Sequence, residues 1–175
     1  RGLFPRYFYA EQTHWTALGS GDGAGAALLN EEGMLEVDRG GFSLEPFLFV
    51  DGELITWADA QITQELAQGW LPIPSSVWRI GDLVLEVTAF GAGPAVHVCY
   101  RLRNTGHDSR RVRFFAAIRP FQVTPPWQAF QDLGGVSPIR ELELRDGMLR
   151  MNGSGRVIPQ TPPSGFGAAA FEQEG

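Results

Sequence analysis

From residue 42 onward, apolar and polar positions alternate with a period of two, in runs broken by short turn sequences. In one run Leu83, Leu85, Val87 and Ala89 oppose Val84, Glu86, Thr88 and Phe90. In the next, Val96, Val98, Tyr100 and Leu102 alternate with His97, Cys99, Arg101 and Arg103, and in a third Val112, Phe114, Ala116 and Ile118 alternate with Arg111, Arg113, Phe115 and Arg119. Successive side chains of a strand point to opposite faces, so this spacing predicts three half-buried strands joined as a meander. The punctuation agrees: Asp51-Gly52, Gly81-Asp82, Asn104-Thr105-Gly106, Asp146-Gly147 and Asn152-Gly153 each separate apolar runs. Asp-Gly and Asn-Gly supply the positive φ angles of tight antiparallel hairpins.

Elsewhere the pattern is looser. Residues 59–68 offer Ile62, Leu66 and Ala67 to a helical face, but Ile62-Thr63 and Gly69 suit a strand, which is the expectation adopted. After Pro120 a long loop runs through Val123-Thr124-Pro125-Pro126-Trp127 and Leu133-Gly134-Gly135, before a hairpin over residues 139–151. Phe4, Tyr7, Phe8, Tyr9 and Trp15 crowd the start into an aromatic arm, followed by a glycine-rich loop. The expected organisation is one domain over residues 1–175, with arm and loop in 1–33 and the sandwich in 34–175. Its fold class is all-β, an antiparallel two-sheet sandwich of supersandwich-like form built from hairpins and meanders. Uneven turn spacing and the lack of a 20 to 50 residue repeat count against a propeller or solenoid.

Length and composition are compatible with that reading. A chain of 175 residues can bury a substantial core, and its 22 glycines and 12 prolines punctuate apolar runs. All 14 basic residues are arginine, so chemistry that requires a lysine, such as a Schiff base or a phosphate-loop lysine, is excluded from this segment. A net charge of −6 opposes attraction to nucleic acid or an anionic membrane, despite the local density of Arg101, Arg103, Arg110, Arg111 and Arg113. The lone Cys99 excludes an intrachain disulfide, and its apolar neighbours suggest a buried thiol. No run of about 18 apolar residues or signal-peptide pattern occurs, which points to a soluble protein, with the bacterial cytoplasm favoured as its compartment. A start at Arg1 and an end at Gly175, just past an apolar stretch, suggest a piece of a longer chain.

Candidate chemistry is sparse. Residues 19–24 approach a dinucleotide-binding glycine pattern, but that motif needs a preceding strand, a following helix and a parallel crossover, so a plain loop is expected. His14, His97 and His107 lack zinc-site spacing, so no metal is expected. Glu31 and Glu32 are assigned to a glycine-flanked loop, and Glu141 and Glu143 to a solvated strand face. No serine has a nucleophile-elbow context. The informative groups are tryptophans with planar polar neighbours, because sugars stack their C–H faces on aromatic rings while Arg and Gln hydrogen-bond the hydroxyls. Trp57 and Trp78 read as core; Trp70 and Trp127, with Arg119, Gln122 and Gln128, form the candidate carbohydrate-binding set.

Residues 44–123 also carry a resemblance. They contain Phe47-Leu48-Phe49-Val50-Asp51-Gly52, Val77-Trp78-Arg79-Ile80-Gly81-Asp82-Leu83, Tyr100-Arg101-Leu102-Arg103-Asn104-Thr105-Gly106 and Arg119-Pro120-Phe121-Gln122-Val123. This order is similar to the N-terminal galactose-mutarotase-like β-sandwich that precedes an (α/α)6 barrel in bacterial glycoside hydrolase and glycoside phosphorylase-like proteins. The resemblance implies a non-catalytic domain packed against a helical barrel or a second copy, with catalytic groups supplied by the barrel, no catalytic residue here and no cofactor. Two alternatives are an autonomous carbohydrate-binding module using Trp70 and Trp127, and a small aldose mutarotase or epimerase. The latter would need a general acid and base facing one pocket, for which His97 and Glu86 are the nearest candidates.

Overall fold

The turns fall where the dipeptides place them. Asp51-Gly52, Asp146-Gly147 and Asn152-Gly153 all adopt positive φ at both residues, and Gly81 does so before Asp82. A further turn of the same kind, Gln68-Gly69, joins residues 61–67 to the next strand. The computed structural model describes residues 1–19, 26–38, 41–124 and 135–170. These form antiparallel sheets, and the only helical segments among them are short 3-10 turns at Arg6–Tyr9 and Trp57–Asp59.

The chain, expected as one domain over 1–175, contains two compact units, Arg1–Ser137 and Pro138–Gly175. The first holds two sheets. One contains β1 (Trp15–Gly19), β2 (Ala26–Asn30), β3 (Leu35–Val37), β4 (Phe42–Val50), β5 (Glu53–Ile55) and β10 (Val112–Arg119). The other is the meander β6 (Gln61–Ala67), β7 (Leu71–Ile80), β8 (Leu83–Ala92) and β9 (Ala95–Asn104). The second unit is a three-stranded sheet of β11 (Leu142–Arg145), β12 (Met148–Met151) and β13 (Gly155–Val157).

Two sequence expectations change here. Residues 1–33 are more than an arm and a loop, since β1 and β2 pair within the first sheet from Trp15 onward. Their antiparallel pairing also removes the helix that a dinucleotide motif would need after residue 25. Most consequentially, β10 does not extend the meander. It crosses to the first sheet and pairs along all of Ser43 to Val50 of β4. At β4 the opposite edge is shared: β3 pairs at Phe42 to Leu44, and β5 at Leu48 to Val50.

The alternation that predicted the strands also assigns their faces. Leu83, Leu85, Val87 and Ala89 are buried, as are Leu18, Leu29, Leu35, Leu44 and Leu48 on one face of the first sheet, while Glu86, Thr88 and Phe90 are only partly covered. Trp78, 1% exposed, closes this core and donates its indole N–H to the carbonyl of Glu32 at 2.9 Å. Ser76 Oγ donates to the carbonyl of Glu31 at 2.7 Å, so the β2–β3 turn is tied to β7. Tyr100 on β9 meets Phe114 on β10 with ring centroids 4.8 Å apart. Trp57, expected in the core, is buried as well. Cys99 is exposed, contrary to the buried thiol expected, because it shares the outer face of β9 with His97, Arg101 and Arg103.

The aromatic arm finds its partners in the same chain. Phe4 and Phe8 pack edge-on against Phe121 at 5.9 and 5.4 Å, Trp57 donates to the carbonyl of Phe4, and Tyr7 Oη donates to the carbonyl of Gly135 at 2.7 Å. Gly2 lies so close to Thr56 and Ala58 that any Cβ there would collide. With φ at +90°, the position suits glycine twice over.

Candidate functional site

The outer face of the first sheet is built on glutamates. Along β3 and β4, Glu36, Ser43 and Glu45 stand on the side away from the second sheet, yet all three are buried beneath the arm and the segment after β10. Each finds a donor. Glu45 Oε2 accepts from Arg119 at 2.8 Å and its other oxygen from Ser43 Oγ, also at 2.8 Å. Glu36 accepts the backbone N–H of Val123 at 2.7 Å. Arg119 lies over the rings of Phe121, Phe47 and Phe4 at 4.6, 5.5 and 5.6 Å. Burial pushes the Glu45 carboxyl above its ordinary range, with Arg119 and the Ser43 hydroxyl pulling in the other direction.

A second network ties the β2–β3 turn to the arm. Glu32, 3% exposed, is bound by Arg6 Nε and accepts from Asn30 Nδ2 at 2.5 Å. Arg6 is shared: its Nε is 3.3 Å from Glu31, and its terminal nitrogen 3.0 Å from Glu11. Desolvation works against the Arg6 cation, but Glu32 and the other carboxylates outweigh it and hold its pKa above the ordinary value. Glu32 is also raised, because burial dominates and one guanidinium divided among three carboxylates compensates it only in part. The loop reading of this glutamate pair therefore missed a buried charge.

The direction of that shift has a measurable consequence. A carboxyl raised in the folded state binds its proton more tightly there, so its contribution to stability is present below the unfolded value of about 4.3 and is lost as pH rises through the folded value. Glu32→Gln imitates the protonated acid. Its stability relative to wild type is expected to increase between about pH 4 and pH 7, read as urea midpoints. A relative stability that falls over that range would contradict the burial argument.

Three of the predicted carbohydrate-binding residues, Trp70, Arg119 and Gln122, lie among the described residues. Trp70 stands at the β6–β7 turn, 69% exposed. Arg119 is held by Glu45, and Gln122 is buried and donates to Ser137 Oγ at 2.6 Å. None of the three lines either of the two clefts described below. Trp127 and Gln128 lie outside the described residues. His97 stacks on Phe90 across the strand pair, whereas Glu86 faces Arg101 four residues along β8. At about 3.3 Å per residue these two candidates for acid and base sit roughly 13 Å apart on an exposed face. Glu141 and Glu143 are exposed, as expected.

Two surface features remain. On the outer side of β4, β5 and β10, Phe47 is directly opposite Phe115, and Phe49 is opposite both Leu54 and Arg113. Phe49, Leu54 and Phe115 are 36%, 46% and 47% exposed, so they form an uncovered apolar patch. No carboxylate pairs with Arg103, Arg111 or Arg113 among the described residues, although Arg101 and Arg110 have Glu86 and Asp51. Both β9 and β10 are also outermost in their sheets.

The other feature is a pair of adjoining clefts at the arm end, of about 440 and 300 Å³. Arg6, Trp57 and Ile62 line the first; Trp15, Leu66 and Pro74 line the second. His14, Glu31 and Gln64 border both. Sequence reasoning offered no signal for this trio, whose members come from three separate elements.

No group of three or more metal-binding side chains, and no helix long and apolar enough to span a membrane, occurs among the described residues. Comparisons with protein-family models, with curated proteins and with solved structures find no match.

Proposed function

We propose that this chain is a non-catalytic β-sandwich domain of a carbohydrate-active protein, and that it docks onto a helical domain through the outer face of β4, β5 and β10. The observation that carries the docking is the patch of Phe47, Phe49, Leu54 and Phe115 beside Arg111 and Arg113. Contiguous exposed apolar side chains edged with charge are characteristic of interaction surfaces. The unpaired arginines select a partner with carboxylates around an apolar ridge. A second copy of this chain fits less well, because a two-fold contact centred on Phe115 would bring Arg113 towards its own equivalent. The carbohydrate assignment rests on the similarity of residues 44–123 to sandwich domains that accompany helical barrels. Burial of Glu32, Glu36 and Glu45 against donors within the chain supports a non-catalytic role, since none is free to move a proton on a substrate.

The test compares amide exchange in the isolated chain and in a longer protein where it adjoins a helical domain. Residues 112–119 are expected to exchange more slowly in the longer protein. The double variant Phe115→Asp, Arg113→Glu should return them to the isolated rate, by placing charge in the apolar contact and reversing the sign beside it. Equal rates in both wild-type forms would overturn the docking, and turnover of aryl glycosides or glycosyl phosphates by the isolated chain would overturn the non-catalytic assignment.

A further inference from the structure

We infer that the paired clefts around His14, Glu31 and Gln64 form a subsite for a neutral polyhydroxylated ligand, a mono- or disaccharide unit. The inference rests on the carbohydrate reading above, and locates sugar contact away from the docking face.

The bordering groups are fixed from several directions. Glu31 Oε2 accepts the backbone N–H of His14 at 2.6 Å and lies 3.8 Å from His14 Nδ1. The carbonyl of Glu31 accepts from Ser76 Oγ at 2.7 Å and from Gln64 Nε2 at 3.3 Å. An amide and an imidazole thereby meet at one place, the imidazole 74% exposed, over a Glu31 carboxylate that is 14% exposed and engaged by Arg6 and the His14 N–H. Arg1 adds a guanidinium above the Trp57 ring at 5.4 Å. On the other side, Trp15 is 40% exposed beside Leu66 and Pro74, giving the second cleft an apolar wall.

Charge selects among ligand classes. An anion meets Glu31 and Glu65, and a cation meets Arg1 and Arg6. A purely apolar molecule would strip water from His14, Glu31 and Gln64 and return no hydrogen bond. Hydroxyl groups both donate and accept, so they match a carboxylate, an amide and a guanidinium in one site, while sugar C–H faces suit the exposed side of Trp15. The volumes, about 440 and 300 Å³, are of a scale for one or two sugar rings.

The experiment titrates the chain with glucose, galactose, mannose, maltose and cellobiose, and with glucose 6-phosphate as the charged comparison, following tryptophan fluorescence and the indole N–H resonances. At least one neutral sugar is expected to bind and to shift the Trp15 resonance. Trp15→Ala and Gln64→Ala should each weaken it by about tenfold or more, and Trp70→Ala should leave it unchanged. Preference for glucose 6-phosphate, or binding that survives both cleft substitutions, overturns the subsite. Loss of binding only in Trp70→Ala would move sugar contact to the hairpin tip and overturn the cleft, without touching the docking face. No binding by any sugar overturns the cleft as well, while the exchange experiment on residues 112–119 continues to judge the docking independently. Circular dichroism and unfolding midpoints of each variant confirm that lost binding is not lost fold.

Discussion

Replacing Arg119 with alanine is expected to cost about 3–5 kcal/mol of folding free energy, measured by urea or guanidinium unfolding. The side chains of Arg119 and Glu45 are 12% and 7% exposed and meet at 2.8 Å. Without the guanidinium, Glu45 keeps only the Ser43 hydroxyl, and a carboxylate so deeply placed must be neutralised or hydrated at the expense of the fold. Arg119 also covers Phe4, Phe47 and Phe121, so truncation opens space beneath the arm. Changing both partners separates these effects. Arg119→Met with Glu45→Leu removes the charges but retains volume, and should recover most of the loss. A single-variant cost below about 1 kcal/mol would mean that water reaches the pair and that burial is not what governs it.

Trp78→Ala should be comparably damaging, at about 3–5 kcal/mol. Trp78 is 1% exposed, and in register it lies between Ile62 of β6 and Leu85 of β8. The indole is also the donor for the Glu32 carbonyl, at the turn where the two sheets are joined. Trp78→Phe divides the loss: it keeps most of the ring volume but leaves that carbonyl without its donor, for about 1–3 kcal/mol. If phenylalanine proves as costly as alanine, the hydrogen bond outweighs packing at this position. A small loss for both would show that the sheets do not depend on this ring.

The strand content was legible because alternation is local. Leu83, Leu85, Val87 and Ala89 are all buried, and Asp51-Gly52 and Asp146-Gly147 adopt the hairpin geometry their residues favour. The destination of β10 was not legible. Asn104-Thr105-Gly106 resembles another hairpin turn, but Asn104 closes a local loop through Gly106 N and the carbonyl of Asp108, and the chain then leaves for β4. A period of two specifies which side is buried; it does not distinguish a neighbour in the same sheet from a strand in the sheet opposite. Tyr100 of one sheet and Phe114 of the other meet as a result.

The buried glutamates were missed for a related reason. Glutamate is expected at the surface unless paired, and although Asn30 and Ser43 are near neighbours, the two guanidinium partners and the donor to Glu36 are remote in sequence: Arg6, Arg119 and the Val123 amide. For Cys99 the alternation carried the answer, since it grouped the residue with His97 and Arg101 on the outer face, while the apolar flanks Val98 and Tyr100 suggested the core. Trp70 was readable as a turn residue from Gly69 beside it. His14, Glu31 and Gln64 share a border only because β6 lies against the β2–β3 turn, an arrangement no spacing in the sequence encodes.

The crossing of β10 also sets the order in which the molecule can form. β6 to β9 pair with immediate neighbours and can zip as successive hairpins, whereas the ladder from Ser43–Arg119 to Val50–Val112 must wait until everything between has been synthesised and gathered in. Closing so long a loop is an entropic barrier that is crossed before the ladder returns any stability, and sandwiches dominated by such pairings fold over roughly milliseconds to seconds. Until then one edge of β4 is open, with Phe47 and Phe49 beside it. On the ribosome this is the interval in which a nascent chain is most prone to pair with the wrong strand.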